Sequence, residues 1–309
     1  MKKAISMLLA VAMAALLLAG CGSKAPASSA AAPAASSEAQ AASQAPAASE
    51  EPAEPEVPLI EEELYAPNGD KNIYGIMTRP DDGQEKYPVI IMSHGFAGSS
   101  KDQKAYAEDL AKAGYACIRI DFYGGGRASK SGGSMEEMSV KTEATDLSAV
   151  MDMVKGLDYV DPDRLFLFGA SQGGFVSTMV AADRADEVKG MILLFPAYAL
   201  QDDCWERHGS IENVPETEVV MNNTLSAMYS LDAMSFDIYE VMGNYTGPVL
   251  LLHGDKDTLV KPSYSERANE VFENSELYIV QGADHGFNGK HQKEASQKIQ
   301  EWLQINDAQ

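Results

Sequence analysis

After residue 60, short apolar runs that end in glycine or an acidic residue alternate with stretches whose apolar positions recur every three or four residues. The first pattern marks strands buried on both faces and the second marks amphipathic helices. Leu64–Ala66 and Ile73–Thr78, separated by Pro67-Asn-Gly-Asp, predict an opening antiparallel pair. Strands follow at Tyr87–Met92, Tyr115–Asp121, Arg164–Phe168, Val188–Phe195, Pro248–His253 and Leu277–Val280. Helices are predicted over Asp102–Ala113 and Val140–Val154, where Ala144, Leu147, Val150, Met151 and Val154 share one face. Phe175, Val176, Met179 and Val180 begin another, and the last two strands each precede helical patterns. Beta-alpha units in succession predict an α/β fold with a mainly parallel sheet covered by helices on both faces. Between Tyr198 and Thr246 the rhythm breaks, which predicts a lid insertion at about 198–246.

Ahead of residue 59 the rhythm is absent. Lys2-Lys3, the apolar run Ala4–Leu18 and a small-residue exit describe an export signal over residues 1–20, too short for a comfortable membrane span. Leu18-Ala-Gly-Cys21 resembles the bacterial lipobox, which implies cleavage before Cys21 and lipid on that cysteine. Residues 21–58, almost wholly Ala, Ser, Pro, Glu and Gln, cannot build a core and read as a tether reaching about 30–35 Å. Residues 59–309 remain, enough for one large globular domain. The expected location is extracytoplasmic, anchored to the bacterial cell membrane through Cys21.

The formal net charge of -22 argues against nucleic acid as a partner. Of three cysteines, Cys21 is expected to carry lipid, while Cys117 in a strand and Cys204 in the insertion are poorly placed to form a disulfide. No metal-ligand spacing or cofactor motif occurs, and no cofactor is expected.

Glycines and ionisable residues gather at the carboxyl ends of the predicted strands, where α/β sheets bind ligands. Gly169-Ala-Ser171-Gln-Gly173 sits where an apolar run gives way to helical spacing, as a nucleophile elbow requires. A serine hydroxyl needs a base within hydrogen-bond reach and a group that orients the base. Of five histidines, His285 occupies a short loop after the last strand, whereas His94 and His253 precede glycines at strand ends and suit structural hydrogen bonding. Asp257 and Asp255 compete as the acid, with Asp284 behind them; Asp257 is favoured because it stands far enough past Gly254 to turn back under the histidine. The backbone N–H groups of Phe96 and Gln172 are the candidate oxyanion donors.

Together, His94-Gly-Phe-Ala-Gly, Gly169-Ala-Ser-Gln-Gly-Gly, His253-Gly-Asp-Lys-Asp and Asp284-His-Gly-Phe resemble the alpha/beta-hydrolase fold over most of residues 60–305. Asp121-Phe-Tyr-Gly-Gly-Gly-Arg-Ala-Ser and the Ser-Gln-Gly-Gly elbow are similar to bacterial feruloyl (cinnamoyl) esterases. The resemblance implies hydrolysis of small-molecule or polysaccharide-linked esters through an acyl-enzyme on Ser171. Where those relatives usually have Gly-His-Gly, this chain has Gly124-Gly125-Gly126. Phe96, Tyr198, Trp205 and Tyr229 are the candidate substrate contacts. A serine peptidase of the same fold would share the site and differ in its pocket, and a non-catalytic binding lipoprotein would suit the anchor and tether. Nothing in the sequence sets the oligomeric state.

Overall fold

A computed structural model describes residues 57–308; the expected signal segment, Cys21 and nearly all of the expected tether lie outside the described residues. The chain enters through strands β1 (Leu59–Asn68) and β2 (Lys71–Pro80), an antiparallel pair closed by Gly69 in the left-handed region at φ +62°. The central strands are β3 (Tyr87–Ser93), β4 (Ala116–Ile120), β5 (Val160–Ala170) and β6 (Gly190–Leu194). A small hairpin of β7 (Thr217–Val220) and β8 (Asn223–Ser226) precedes β9 (Val249–Gly254) and β10 (Ser275–Val280). Eight strands form one sheet in the order β1-β2-β4-β3-β5-β6-β9-β10, parallel from β4 through β10.

Every residue of β3 is buried, and its side chains alternate between two cores. Val89 and Ile91 face one side and Ile90 and Met92 the other, as the two-residue strand period demands. Helices α1 (Lys104–Lys112) and α8 (Lys290–Asn306) supply Leu110, Ile299 and Leu303 to one core. Helices α2 (Val140–Lys155), α3 (Gln172–Asp183) and α7 (Pro262–Val271) supply Leu147, Phe175 and Ala268 to the other. The insertion between β6 and β9 is more regular than its sequence suggests. It contains α4 (Leu200–His208), the β7–β8 hairpin, α5 (Ala227–Ala233) and α6 (Ile238–Met242).

The order turns outward in both directions from β3, with β4 on one side and β5 on the other. Such a switch point leaves a crevice beyond the carboxyl ends of the strands. The residues that leave β3 and β5 there are His94-Gly95-Phe96 and Ser171.

Candidate active site

Ser171 occupies the single residue between β5 and α3, at φ 52° and ψ -117°. A serine held there is strained by about 1–3 kcal/mol, so its surroundings must hold it. Its N–H donates to the Leu194 carbonyl at 2.9 Å, and its carbonyl accepts from Gly174 and Ala197. Close chain crossing makes glycine obligatory around it: a Cβ on Gly169 would meet the backbone of Gly173 and Gly174, and one on Gly173 the carbonyls of Ser93 and His94.

Three residues from three loops meet over this turn. The Ser171 hydroxyl lies 3.0 Å from His285 Nε2, and His285 Nδ1 lies 2.7 Å from Asp257 Oδ2. Burial pulls the Asp257 carboxyl upward, but hydrogen bonds from His253, His285 and the Val260 N–H outweigh it and leave the group below the usual carboxylate range. An ionised carboxylate only accepts, so His285 Nδ1 carries the proton and Nε2 is free to accept from the Ser171 O–H. The competing acids have other partners. Asp255 accepts from the Gly282 N–H and pairs with Lys256, while Asp284 accepts from the Thr258 and His285 N–H groups and so closes the histidine loop.

His253 was placed by sequence among structural histidines, and its structural task is to hold Asp257. Its Nε2 lies 2.8 Å from the Val260 carbonyl and 3.2 Å from Asp257 Oδ2, and its Nδ1 lies 2.7 Å from the Ser265 hydroxyl. A carbonyl accepts only, so Nε2 is the protonated nitrogen and Nδ1 takes the Ser265 proton. Asp257 Oδ1 accepts from Leu259 and Val260, both at 2.9 Å.

Gly95 runs so close to Ser171 that a Cβ there would come within 3.1 Å of Ser171 Cβ, which brings the turn that carries the Phe96 N–H up to the elbow. Among the described residues that N–H has no protein acceptor. Gln172 is the first residue of α3, where helix N–H groups lack intrahelical partners. Behind this turn, buried His94 accepts from the Phe122 N–H at 3.2 Å and touches the glycine loop. A Cβ on Gly125 would come within 3.0 Å of His94 Cε1 and 2.7 Å of Phe122 Cβ, so a histidine there would require the loop to move.

A cavity of about 450 Å³ covers Ser171 and His285 on one side, walled by Tyr106, Leu194, Phe195 and Phe287. A second, of about 80 Å³, lies against Ser171 and Gln172 under the lid, reached by Leu200, Asp203, Arg207 and Tyr229. Phe96, Met221 and Leu259 border both. Met221 and Asn222 form the tip of the β7–β8 hairpin, both in the left-handed region, and the Asn222 carbonyl accepts from Arg127 at 3.2 Å. A larger groove of about 830 Å³ lies between the β1–β2 turn, α2 and α3 and shares no residue with these two.

Of the four expected substrate contacts, Phe96 and Tyr229 line the site and Tyr198 and Trp205 do not. Tyr198 is fully buried, with its hydroxyl 2.7 Å from Thr178 Oγ1 and its ring packed near Phe175 and Tyr239. Trp205 follows core-facing Cys204 on α4, and one residue of helical rotation turns it outward, where it is 42% exposed. Both border a separate cleft of about 130 Å³ with Gln201 and Arg267. Cys117 and Cys204 are free thiols in different cores.

Sequence reasoning passed over Glu143. It is buried on α2, and its Oε2 accepts from Gln172 Nε2 at 2.8 Å. Burial raises its carboxyl well above the usual range, only partly countered by that bond. The available signal was its place on the apolar stripe of α2, one turn before Leu147. Among the described residues no cluster of His, Cys, Asp or Glu is arranged to hold a metal ion.

Residues 84–223 match the family model described as serine aminopeptidase, S33. A solved structure of Est1E from Butyrivibrio proteoclasticus with ferulic acid bound superposes with a TM-score of 0.74 at 28% identity, covering 80% of this chain and 100% of that one. Among curated proteins, the quorum-quenching protein AidA of Acinetobacter baumannii is 32% identical over 88 residues, 28% of each chain. Lipase 3 of Moraxella sp. is 22% identical over 260 residues, 72% of this chain and 78% of that one. YcjY of Escherichia coli is 29% identical over 153 residues, 48% of this chain and 49% of that one, so the chain spans less than half the length of AidA and YcjY. The sheet order, the strained elbow and these likenesses together establish that the chain has the alpha/beta-hydrolase fold.

Proposed function

We propose that this protein is a serine carboxylic-ester hydrolase with Ser171 as nucleophile, His285 as general base and acid, and Asp257 as the group that orients and stabilises the imidazolium. The observation that carries the proposal is the continuous hydrogen-bonded line from Ser171 through His285 to Asp257, at 3.0 and 2.7 Å. His285 Nε2 takes the Ser171 proton as Oγ bonds to the ester carbonyl carbon, and the developing oxyanion is met by the Phe96 and Gln172 N–H groups. Collapse breaks the carbon–oxygen bond to the alcohol, which leaves with the proton from His285. Water then repeats the sequence, and its attack releases the acid and restores the serine.

Feruloyl, cinnamoyl or other short acyl groups are the proposed substrates. Support comes from the 28% identity to Est1E over that protein's full length and from aromatic and aliphatic walls beside Ser171. The description of the matched family favours a second reading, an aminopeptidase. Turnover of p-nitrophenyl acetate and methyl ferulate that disappears in Ser171→Ala is the expected result. Hydrolysis of aminoacyl anilides without ester turnover would move the assignment to the peptidase, and absence of Ser171 labelling by a fluorophosphonate would remove catalysis altogether. We further propose anchoring through lipid on Cys21, supported by Leu18-Ala-Gly-Cys21. Incorporation of a fatty-acid analogue in the expressing bacterium, lost in Cys21→Ser, is its test.

A further inference from the structure

We infer that Tyr229, carried by the lid, is a positioning residue that aligns both oxyanion donors at once. The inference rests on the esterase reading above. Tyr229 lies on α5, outside the hydrolase sheet, and is 3% exposed. Its hydroxyl donates to Gln172 Oε1 at 2.9 Å, and its ring meets the Phe96 ring edge-on, with centroids 5.7 Å apart at 60°. Gln172 and Phe96 are the two residues whose backbone N–H groups the proposed mechanism assigns to the oxyanion. The far end of the Gln172 amide is held as well, by Glu143 at 2.8 Å and Met138 Sδ at 3.5 Å.

A buried tyrosine ordinarily needs a hydroxyl partner and a ring neighbour, so either contact alone would describe a satisfied core residue. Here the two contacts fall on the two donor residues and reach them from a separate element. Gln172 opens α3, so a side chain clamped at both ends restricts rotation of the peptide that presents its N–H. Phe96 sits in an irregular turn with Ala97 at φ 56°, and its ring is the part of that turn the lid can reach. Burial keeps the Tyr229 hydroxyl protonated and therefore a donor. The lid thus carries part of the machinery that stabilises charge in the transition state.

The test uses the full chain and p-nitrophenyl butyrate. Tyr229→Phe keeps the ring against Phe96 and deletes only the bond to Gln172. We expect kcat to fall about three- to tenfold, the worth of one neutral hydrogen bond, with KM within about twofold. Affinity for an aryl trifluoromethyl ketone, whose adduct places an oxyanion in the same hole, should weaken by the same factor, while butyrate affinity stays unchanged. Tyr229→Leu removes both contacts and should lower kcat further. Tyr245→Phe is the control: that hydroxyl donates to the Val188 carbonyl at 3.2 Å on the core side, so thermal stability should drop and kcat should not. Wild-type kcat and ketone affinity in folded Tyr229→Phe overturn the inference, as does a loss confined to KM, which would make Tyr229 a substrate contact. A wild-type protein that neither turns over esters nor reacts with a fluorophosphonate overturns the esterase reading and the inference with it.

Discussion

Replacing Asp257 by Asn tests the site at the point where two histidines share one carboxylate. Oδ1 accepts two backbone N–H groups at 2.9 Å, and turning the amide nitrogen that way would leave both donors unpaired, about 1–3 kcal/mol each. The amide nitrogen therefore takes the Oδ2 position, 2.7 Å from His285 Nδ1 and 3.2 Å from His253 Nε2. His253 Nε2 is committed as a donor to Val260, so the only nitrogen that can adapt is His285 Nδ1, which must give up its proton and accept. The imidazole then presents Nε2–H to Ser171 and cannot take the serine proton. A wrong-tautomer base in a serine triad lowers kcat by about 10⁴, or about 5 kcal/mol of barrier. Loss of a charge-assisted bond also costs about 1.5–3 kcal/mol of stability, so unfolding curves accompany kcat measured on p-nitrophenyl acetate. Asp255→Asn is the comparison, because Asp255 holds Gly282 and Lys256 and should stay within about threefold of wild type. Asp257→Asn with more than a tenth of wild-type kcat, or Asp255→Asn with an equal collapse, would refute the assignment of the acid.

Gly173→Ala drives a Cβ into the Ser93 and His94 carbonyls, so it should lower the urea midpoint by an amount equivalent to about 3 kcal/mol or more and abolish fluorophosphonate labelling; a stable, labelled variant would contradict the crossing geometry. Tyr198→Phe should lower stability by about 1 kcal/mol through loss of the Tyr198 hydroxyl bond to Thr178, which keeps its own bond to the Gly174 carbonyl, and leave the ranking of feruloyl and acetyl substrates unchanged, and Trp205→Ala should leave that ranking unchanged too; a shift in either would restore them to the pocket. Burial, opposed by bonds from Tyr123 and Asn68, pushes the Asp146 carboxyl up to about 6. A raised folded value favours the protonated native state, so this contribution is full below about pH 4 and is lost as pH rises through 6, amounting to about 2–3 kcal/mol. Urea midpoints of wild type and Asp146→Asn should therefore diverge between pH 4 and 7, and parallel curves would count against it.

The central strands were legible because burial on both faces writes itself as unbroken apolar runs, as in Val89–Met92 and Leu165–Phe168. The elbow was legible because a crossing this tight admits only glycine at 169 and 173. The β7–β8 hairpin was not, since its strands are only four residues long, β7 alternates exposed and half-buried positions and β8 buries Leu225 alone, which leaves little apolar signal. Its tip uses Met221 and Asn222 in place of the Asn-Gly or Asp-Gly pair that announces such turns. Tyr198 was misjudged because nearness to a strand end in sequence says nothing of which way a side chain leaves the turn. Arg119, Glu143 and Asp146 escaped notice for a shared reason: charged residues are seldom fully buried, and the partners they bond lie 58, 29 and 23 residues away.

The hairpin tip gives the site two corridors instead of one. Met221 borders the cavity beneath the lid and the wider one beside His285, with Ser171 at their junction. An ester straddling that junction would send its acyl and alcohol halves down different passages, so on the proposed function selectivity for each half would be set by separate walls. Because Arg127 ties the tip to the glycine loop through its bond to the Asn222 carbonyl, a change in loop length or in that arginine would shift the divider without touching Ser171. The two selectivities could then drift independently while the chemistry stays fixed.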